Sequence, residues 1–149
     1  MLNFSKEKIS TTMVSSDTLP ALYLDIKTNP NIAGTFSRLP GHYVRNRKIL
    51  SLPDALRRIT LLPAPWLKRA SPAFQNKGRL QIGADADVVV FDPDLIATAA
   101  TYGDPYQKSI AVSWVIIGGA VVIENGQRLE GRYPGRRLIR ACFAPASSC

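Results

Sequence analysis

The segment from Val112 to Leu129 constrains this chain most. Val112–Ile117 is apolar and β-branched, and Gly118-Gly119 follows. Ala120–Glu124 comes next, then Asn125-Gly126, then Gln127–Leu129. Gly-Gly and Asn-Gly supply the positive φ angles that two-residue hairpin turns need, so the segment reads as a three-stranded antiparallel meander. A further apolar run, Val88–Phe91, follows Gly83-Ala84-Asp85-Ala86-Asp87 and is closed by Asp92-Pro93. It reads as a short, fully apolar strand. Too few strands are present to close a barrel, so this β unit requires another surface to cover it.

The first part of the chain reads differently. Residues 1–10 suggest a weakly helical start. Thr11–Ser16 is β-branched or small and is ended by Asp17, as a short strand would be. Residues 18–50 have no clean period and are broken by Pro20, Asn29-Pro30, Gly34 and Pro40-Gly41. They accommodate short helical turns near 20–27 and 42–48. Ser51-Leu52-Pro53-Asp54 is a strong helix start: Ser51 can cap the Asp54 N–H, Pro53 lies in the first turn, and Asp54 suits the positive helix end. Leu52, Ala55, Leu56 and Ile59 then share a face, with Arg57 and Arg58 expected on the other side. Pro63 and Pro65 are expected to stop the helix, and Lys68, Arg69, Lys77 and Arg79 to crowd a loop. Residues 94–108 read as a loop. The chain therefore divides near residue 66, and residues 141–149 read as a disordered tail.

The net charge of +8 raises nucleic acid as a partner. Aromatic interleaving is thin and no recognition helix or RNA-binding signature is present, so nucleic acid is not expected. Cys142 and Cys149 make no disulfide framework, and His42 is the lone histidine. Phosphate-binding glycine loops and GxSxG elbows are absent. No apolar run approaches the ~20 residues of a membrane span, and no signal-like h-region opens the chain, so a cytoplasmic setting is expected and no membrane partner. On residues alone, Asp17 is a turn residue at the end of a strand.

Several motifs then line up in order: MVSSD at Met13–Asp17, GTFSR at Gly34–Arg38, GHYVR at Gly41–Arg45, SLPDALRRIT at Ser51–Thr60 and GRLQIGADADVVVFDP at Gly78–Pro93. ATYGDPYQ, IIGGAVVIENG and YPGRRLIR continue the series. Over residues 11–140 these resemble the C-terminal part of the N-acyl-D-amino-acid deacylases (D-aminoacylases) of the amidohydrolase superfamily. The resemblance implies an α/β piece plus β. Residues 1–66 would be the C-terminal end of a metal-dependent (β/α)8 hydrolase barrel, with strand 8, an active-site loop and the final helix. Residues 67–140 would be the C-terminal part of a small β-sandwich.

The resemblance makes Asp17 the catalytic carboxylate at the end of strand 8, adjacent to the metal. It would take a proton from metal-bound water and pass it to the leaving amine. Ser16 and Arg38 are implied as substrate-binding residues, Arg38 through a bidentate pair with a carboxylate. His42 and Tyr43 are implied to pack near the site. Thr18 stands where the family has glycine, and Gly118-Gly119 where it usually has Asn-Gly. The family's HxH pair and middle-strand ligands are not in this sequence. Zinc is the cofactor of the full-length family, and no complete metal set is expected here. The expected partners are the missing N-terminal barrel portion or a second copy, with an N-acyl amino acid as small-molecule substrate once the site is complete. The chain alone is expected to be inactive. The competing expectation is a non-catalytic truncated remnant or interaction module.

Overall fold

The computed structural model describes residues 12–17, 29–136 and 138. The expected turn near 20–27, the start at 1–10 and the tail at 141–149 lie outside them. Five helical pieces come first: α1 (Asn31–Arg38), a π-helical stretch (Leu39–Asn46), α2 (Leu52–Ile59), α3 (Pro63–Lys68) and a 3-10 turn (Pro72–Phe74). Six strands follow: β1 (Val88–Phe91), β2 (Ala97–Thr98), β3 (Ser109–Ile110), β4 (Val112–Ile117), β5 (Ala120–Glu124) and β6 (Gln127–Arg128).

The meander forms as its turns require. The main sheet has the order β1-β4-β5-β6, antiparallel throughout. Gly118 and Gly119 sit at φ 55° and 84°, and Asn125 and Gly126 at 49° and 74°. Positive φ at both central residues matches the twist of the flanking strands. β1 lies against β4 with Val88 opposite Ile116 and Val90 opposite Trp114. A salt-bridged loop fixes this arrangement. Lys77 Nζ lies 3.0 Å from Asp85 and 2.5 Å from Asp87. Asp87 also accepts from the Gly118 N–H at 2.8 Å, which holds the β4–β5 turn.

Several sequence expectations are corrected. First, α1 and the π stretch run unbroken through Pro40-Gly41, where only a turn near 42–48 was expected. Asn29 Oδ1 accepts from the Asn31 N–H at 3.0 Å and opens the helix. Pro40 has no N–H and its ring would strike the carbonyl four residues back in an α-helix. The wider π turn relieves this, and it ends with Arg47 N–H donating to His42 O at 2.8 Å. Second, Pro63 does not lead into a loop; it occupies the first turn of α3, where its missing N–H costs nothing. The 94–108 loop likewise contains β2, which pairs with β3. Third, residues 12–17 are extended but form no strand, because no ladder neighbour lies beside them among the described residues.

The helical part and the sheet part touch closely. A Cβ on Gly41 would lie 2.4 Å from Ile96 O, and one on Gly34 would lie 2.5 Å from Thr98 Oγ1. Glycine at both positions lets this helix lie against β2. Arg45 Nη1 donates to Ile96 O at 2.8 Å, and Ser109 Oγ to Ser37 Oγ at 2.9 Å. Ile96 and Leu39 are buried in this seam.

Elsewhere burial is shallow. Among the described residues no large side chain is fully buried. Val89 and Val90 of the edge strand β1 are 55% and 46% exposed, and Trp66, Leu80 and Ile82 are exposed too.

Candidate active-site segment and its supports

Asp17 ends the extended segment that begins at Thr12. Met13, Ser15 and Asp17 are exposed, whereas Val14 and Ser16 are half-buried. The alternation is that of extended backbone, with Asp17 on the outward side. At Asp17 the backbone turns into the left-handed region, at φ 48°, and its N–H donates to Ser15 Oγ at 3.3 Å. Asp tolerates that conformation better than most residues because its short side chain bonds locally. Its carboxylate is thus presented to solvent at a turn.

α2 supports this segment. Ser51 Oγ accepts from the Asp54 N–H at 3.2 Å and donates to the Asp54 carboxylate at 2.7 Å, so the expected cap is present. Ala55 is completely buried. Arg58, expected on the outer side, is instead 6% exposed. The buried face centres on Ala55 and Arg58, three residues apart, while Arg57 stays exposed. Arg58 Nη1 donates to Thr12 O at 3.0 Å and to Thr12 Oγ1. Helix exit matters as well. Leu62 N–H donates to Arg57 O at 2.9 Å, and Arg58 O accepts from the Val14 N–H at 3.4 Å. Burial lowers the Arg58 guanidinium pKa, with Asp54 pulling it back up and Arg57 adding to the lowering.

The other residues singled out in the sequence are not gathered around Asp17. Arg38 closes α1 on its exposed side, and no hydrogen bond or ion pair joins it to Ser16 or Asp17. His42 and Tyr43 meet edge to face, with ring centroids 5.0 Å apart. A cavity of about 160 Å³, lined in part by Leu61, Ala64, Phe74 and Arg79, includes neither Asp17 nor Arg38. Sequence reasoning missed Arg45 and Arg58 as anchoring residues. The available signal for Arg58 was its spacing from Ala55, which an arginine normally overrides.

Among the described residues, no three His, Cys, Asp or Glu side chains stand close enough to hold a metal ion. A zinc site needs three or four such donors, so His42 and Asp17 do not fit one. No helix among them is long and apolar enough to cross a membrane.

No protein-family model matches the chain. It is 38% identical over 128 residues to the N-acyl-D-glutamate deacylase of Alcaligenes xylosoxydans xylosoxydans, covering 86% of this chain and 24% of that enzyme. A solved D-aminoacylase with a binuclear metal centre superimposes with a TM-score of 0.77 at 33% identity, over 91% of this chain and 27% of its own. The N-acyl-D-glutamate deacylase of Bordetella bronchiseptica, solved with zinc and a phosphonate mimic of the tetrahedral intermediate, gives 0.73 at 40% identity, over 87% and 25%. The chain spans about a quarter of the length of these relatives. Agreement in both sequence and backbone over nearly the whole chain makes it a homologue of part of the N-acyl-D-amino-acid deacylases, the D-aminoacylase subset of amidohydrolases.

Proposed function

We propose that this chain is the C-terminal, Asp17-bearing part of a hydrolase that cleaves the amide bond of N-acyl-D-amino acids. The observation that carries the proposal is the Thr12–Asp17 segment. It is extended, anchored on α2, and turns into the left-handed region where it exposes the motif carboxylate. A non-glycine residue in the left-handed region is one of the backbone features found at reactive sites, although Lys48, Ala111 and Asn125 share it here. The similarity to the deacylases supplies the chemistry.

In this reading Asp17 accepts a proton during attack on the amide and returns it to the departing amine, as a carboxylate with access to solvent can. Ser16 and Arg38 bind substrate, Arg38 by pairing with its carboxylate. Residues 1–66 form the end of the barrel and residues 67–140 part of the sandwich. No set of metal ligands stands together among the described residues, so in this reading the reaction requires polypeptide that resembles the rest of the enzyme. The exposed apolar surface at β1 and Trp66 supports a missing neighbour.

That same exposure also favours a second reading, a non-catalytic remnant or interaction module. The coding sequence immediately upstream separates the two. An upstream region encoding an HxH motif, in frame or shifted, supports the hydrolase part. Unrelated upstream sequence favours the remnant.

A further inference from the structure

The 12–17 segment has no strand beside it among the described residues, so no ladder among them fixes its register. Extended backbone has a side-chain period of two, and a slip of one residue would exchange the facings of Ser16 and Asp17. Among the described residues, α2 supplies contacts that can set which of the two points outward. We propose that Arg58 is the positioning residue that sets this register and thereby aims Asp17. The inference rests on the catalytic reading of Asp17 given above.

Three contacts carry it. The Arg58 side chain holds both the carbonyl and the hydroxyl of Thr12, and its own carbonyl receives the Val14 N–H. Thr12 and Val14 are two residues apart, so the Thr12 carbonyl and the Val14 N–H lie along one edge of an extended chain. Thr12 itself stays exposed; with that edge held, Val14 and Ser16 are half-buried and Met13, Ser15 and Asp17 exposed. The hydroxyl disfavours a slip that would bring Met13 to this place, because Met13 offers no second oxygen there. Arg58 is buried, and its Nε–H finds no acceptor. An arginine held this way is costly unless its remaining bonds are good ones. A guanidinium presents several donors in a rigid fork, which suits two oxygens on one residue.

The test is amide NMR and hydrogen exchange on the whole chain. Arg58→Met should speed Val14 amide exchange at least tenfold and shift the Ser16 and Asp17 resonances, while Val115 and Ile116 in β4 keep their protection. Arg58→Lys, which restores one donor, should recover part of the change. Thr12→Val removes only the hydroxyl and should move the same resonances less. If Arg58→Met unfolds the chain, Thr12→Val decides. Unchanged Ser16 and Asp17 resonances in Thr12→Val, or in a folded Arg58→Met, overturn the inference. A second readout is kinetic, in enzyme reconstituted with a metal-holding partner: Arg58→Met should lower kcat with little change in KM. Loss of KM alone would contradict a positioning role. Reconstituted activity that survives Asp17→Asn would sink the catalytic reading while leaving the register argument standing on its NMR result.

Discussion

Gly41→Ala probes the seam between the helical part and β2. The added Cβ would sit 2.4 Å from Ile96 O and 3.3 Å from the Ala97 Cα. Both obstacles are backbone, so no rotamer change relieves them. The π stretch must retreat from β2 by several tenths of an ångström or more. That retreat also stretches the 2.8 Å bond from Arg45 to Ile96 O. Overpacking of this kind costs about 1–3 kcal/mol. Alanine's better helix propensity returns less than ~1 kcal/mol of that. A net loss of about 1–2 kcal/mol should lower the melting temperature by about 2–8 °C in a domain of this size. Circular dichroism melts at low protein concentration would read it. Gly103→Ala is the matched control, because its Cβ would meet nothing nearer than Thr101 Oγ1 at 3.8 Å. If the two variants melt within a degree of each other, the packing of the π stretch on β2 is not as described.

Gly34→Ala should cost less than Gly41→Ala in the same melts, because the obstacle is the Thr98 hydroxyl, which can rotate at the loss of its bond to the Ala100 N–H. The Lys77–Asp87 pair should show a pH window. The bond from Lys77, reinforced by the Gly118 N–H, holds the Asp87 carboxyl below its ordinary value of 3.8. That contribution is full above the ordinary value and disappears as pH falls through the lowered one. Lys77 is held above 10.5, chiefly by its bond to Asp87, so its contribution disappears as pH rises through the raised value. Solvent reaches both groups, so Asp87→Asn should cost only about 0.5–1 kcal/mol in urea unfolding at pH 7. The difference should vanish at strongly acidic pH, and a pH-independent difference would count against the pair. Asp17→Asn should leave stability within about 0.5 kcal/mol, since Asn also tolerates positive φ.

How far the sequence revealed this structure depended on how local the deciding physics was. Gly118-Gly119 and Asn125-Gly126 carry their turn geometry in their own backbone preferences, so β4, β5 and β6 were legible. Ser51 and Asp54 cap α2 within four residues, so its start was legible too. The helix at 31–46 was hidden because Pro40-Gly41 reads as a break. Its survival depends on a π turn, and on close contact with Ile96 some fifty residues away. The expected strand at Thr11–Ser16 depended on neighbours that the described chain does not provide, and its described residues stay extended without a ladder. Arg58 reads as a solvated residue from its charge. Its burial follows from Thr12, a partner far off in sequence. For the candidate site, the resemblance singled out Asp17, and the structure adds its left-handed turn. Arg38 lies on an exposed helix end, without a contact to Asp17.

The most direct measurement combines this chain with the metal-holding N-terminal portion of a D-aminoacylase and follows hydrolysis of an N-acetyl-D-amino acid. Activity should require both polypeptides and should fall by at least a thousandfold with Asp17→Asn, about 4 kcal/mol of transition-state stabilisation. Turnover by this chain alone, or undiminished turnover by the Asp17→Asn pair, would contradict the account.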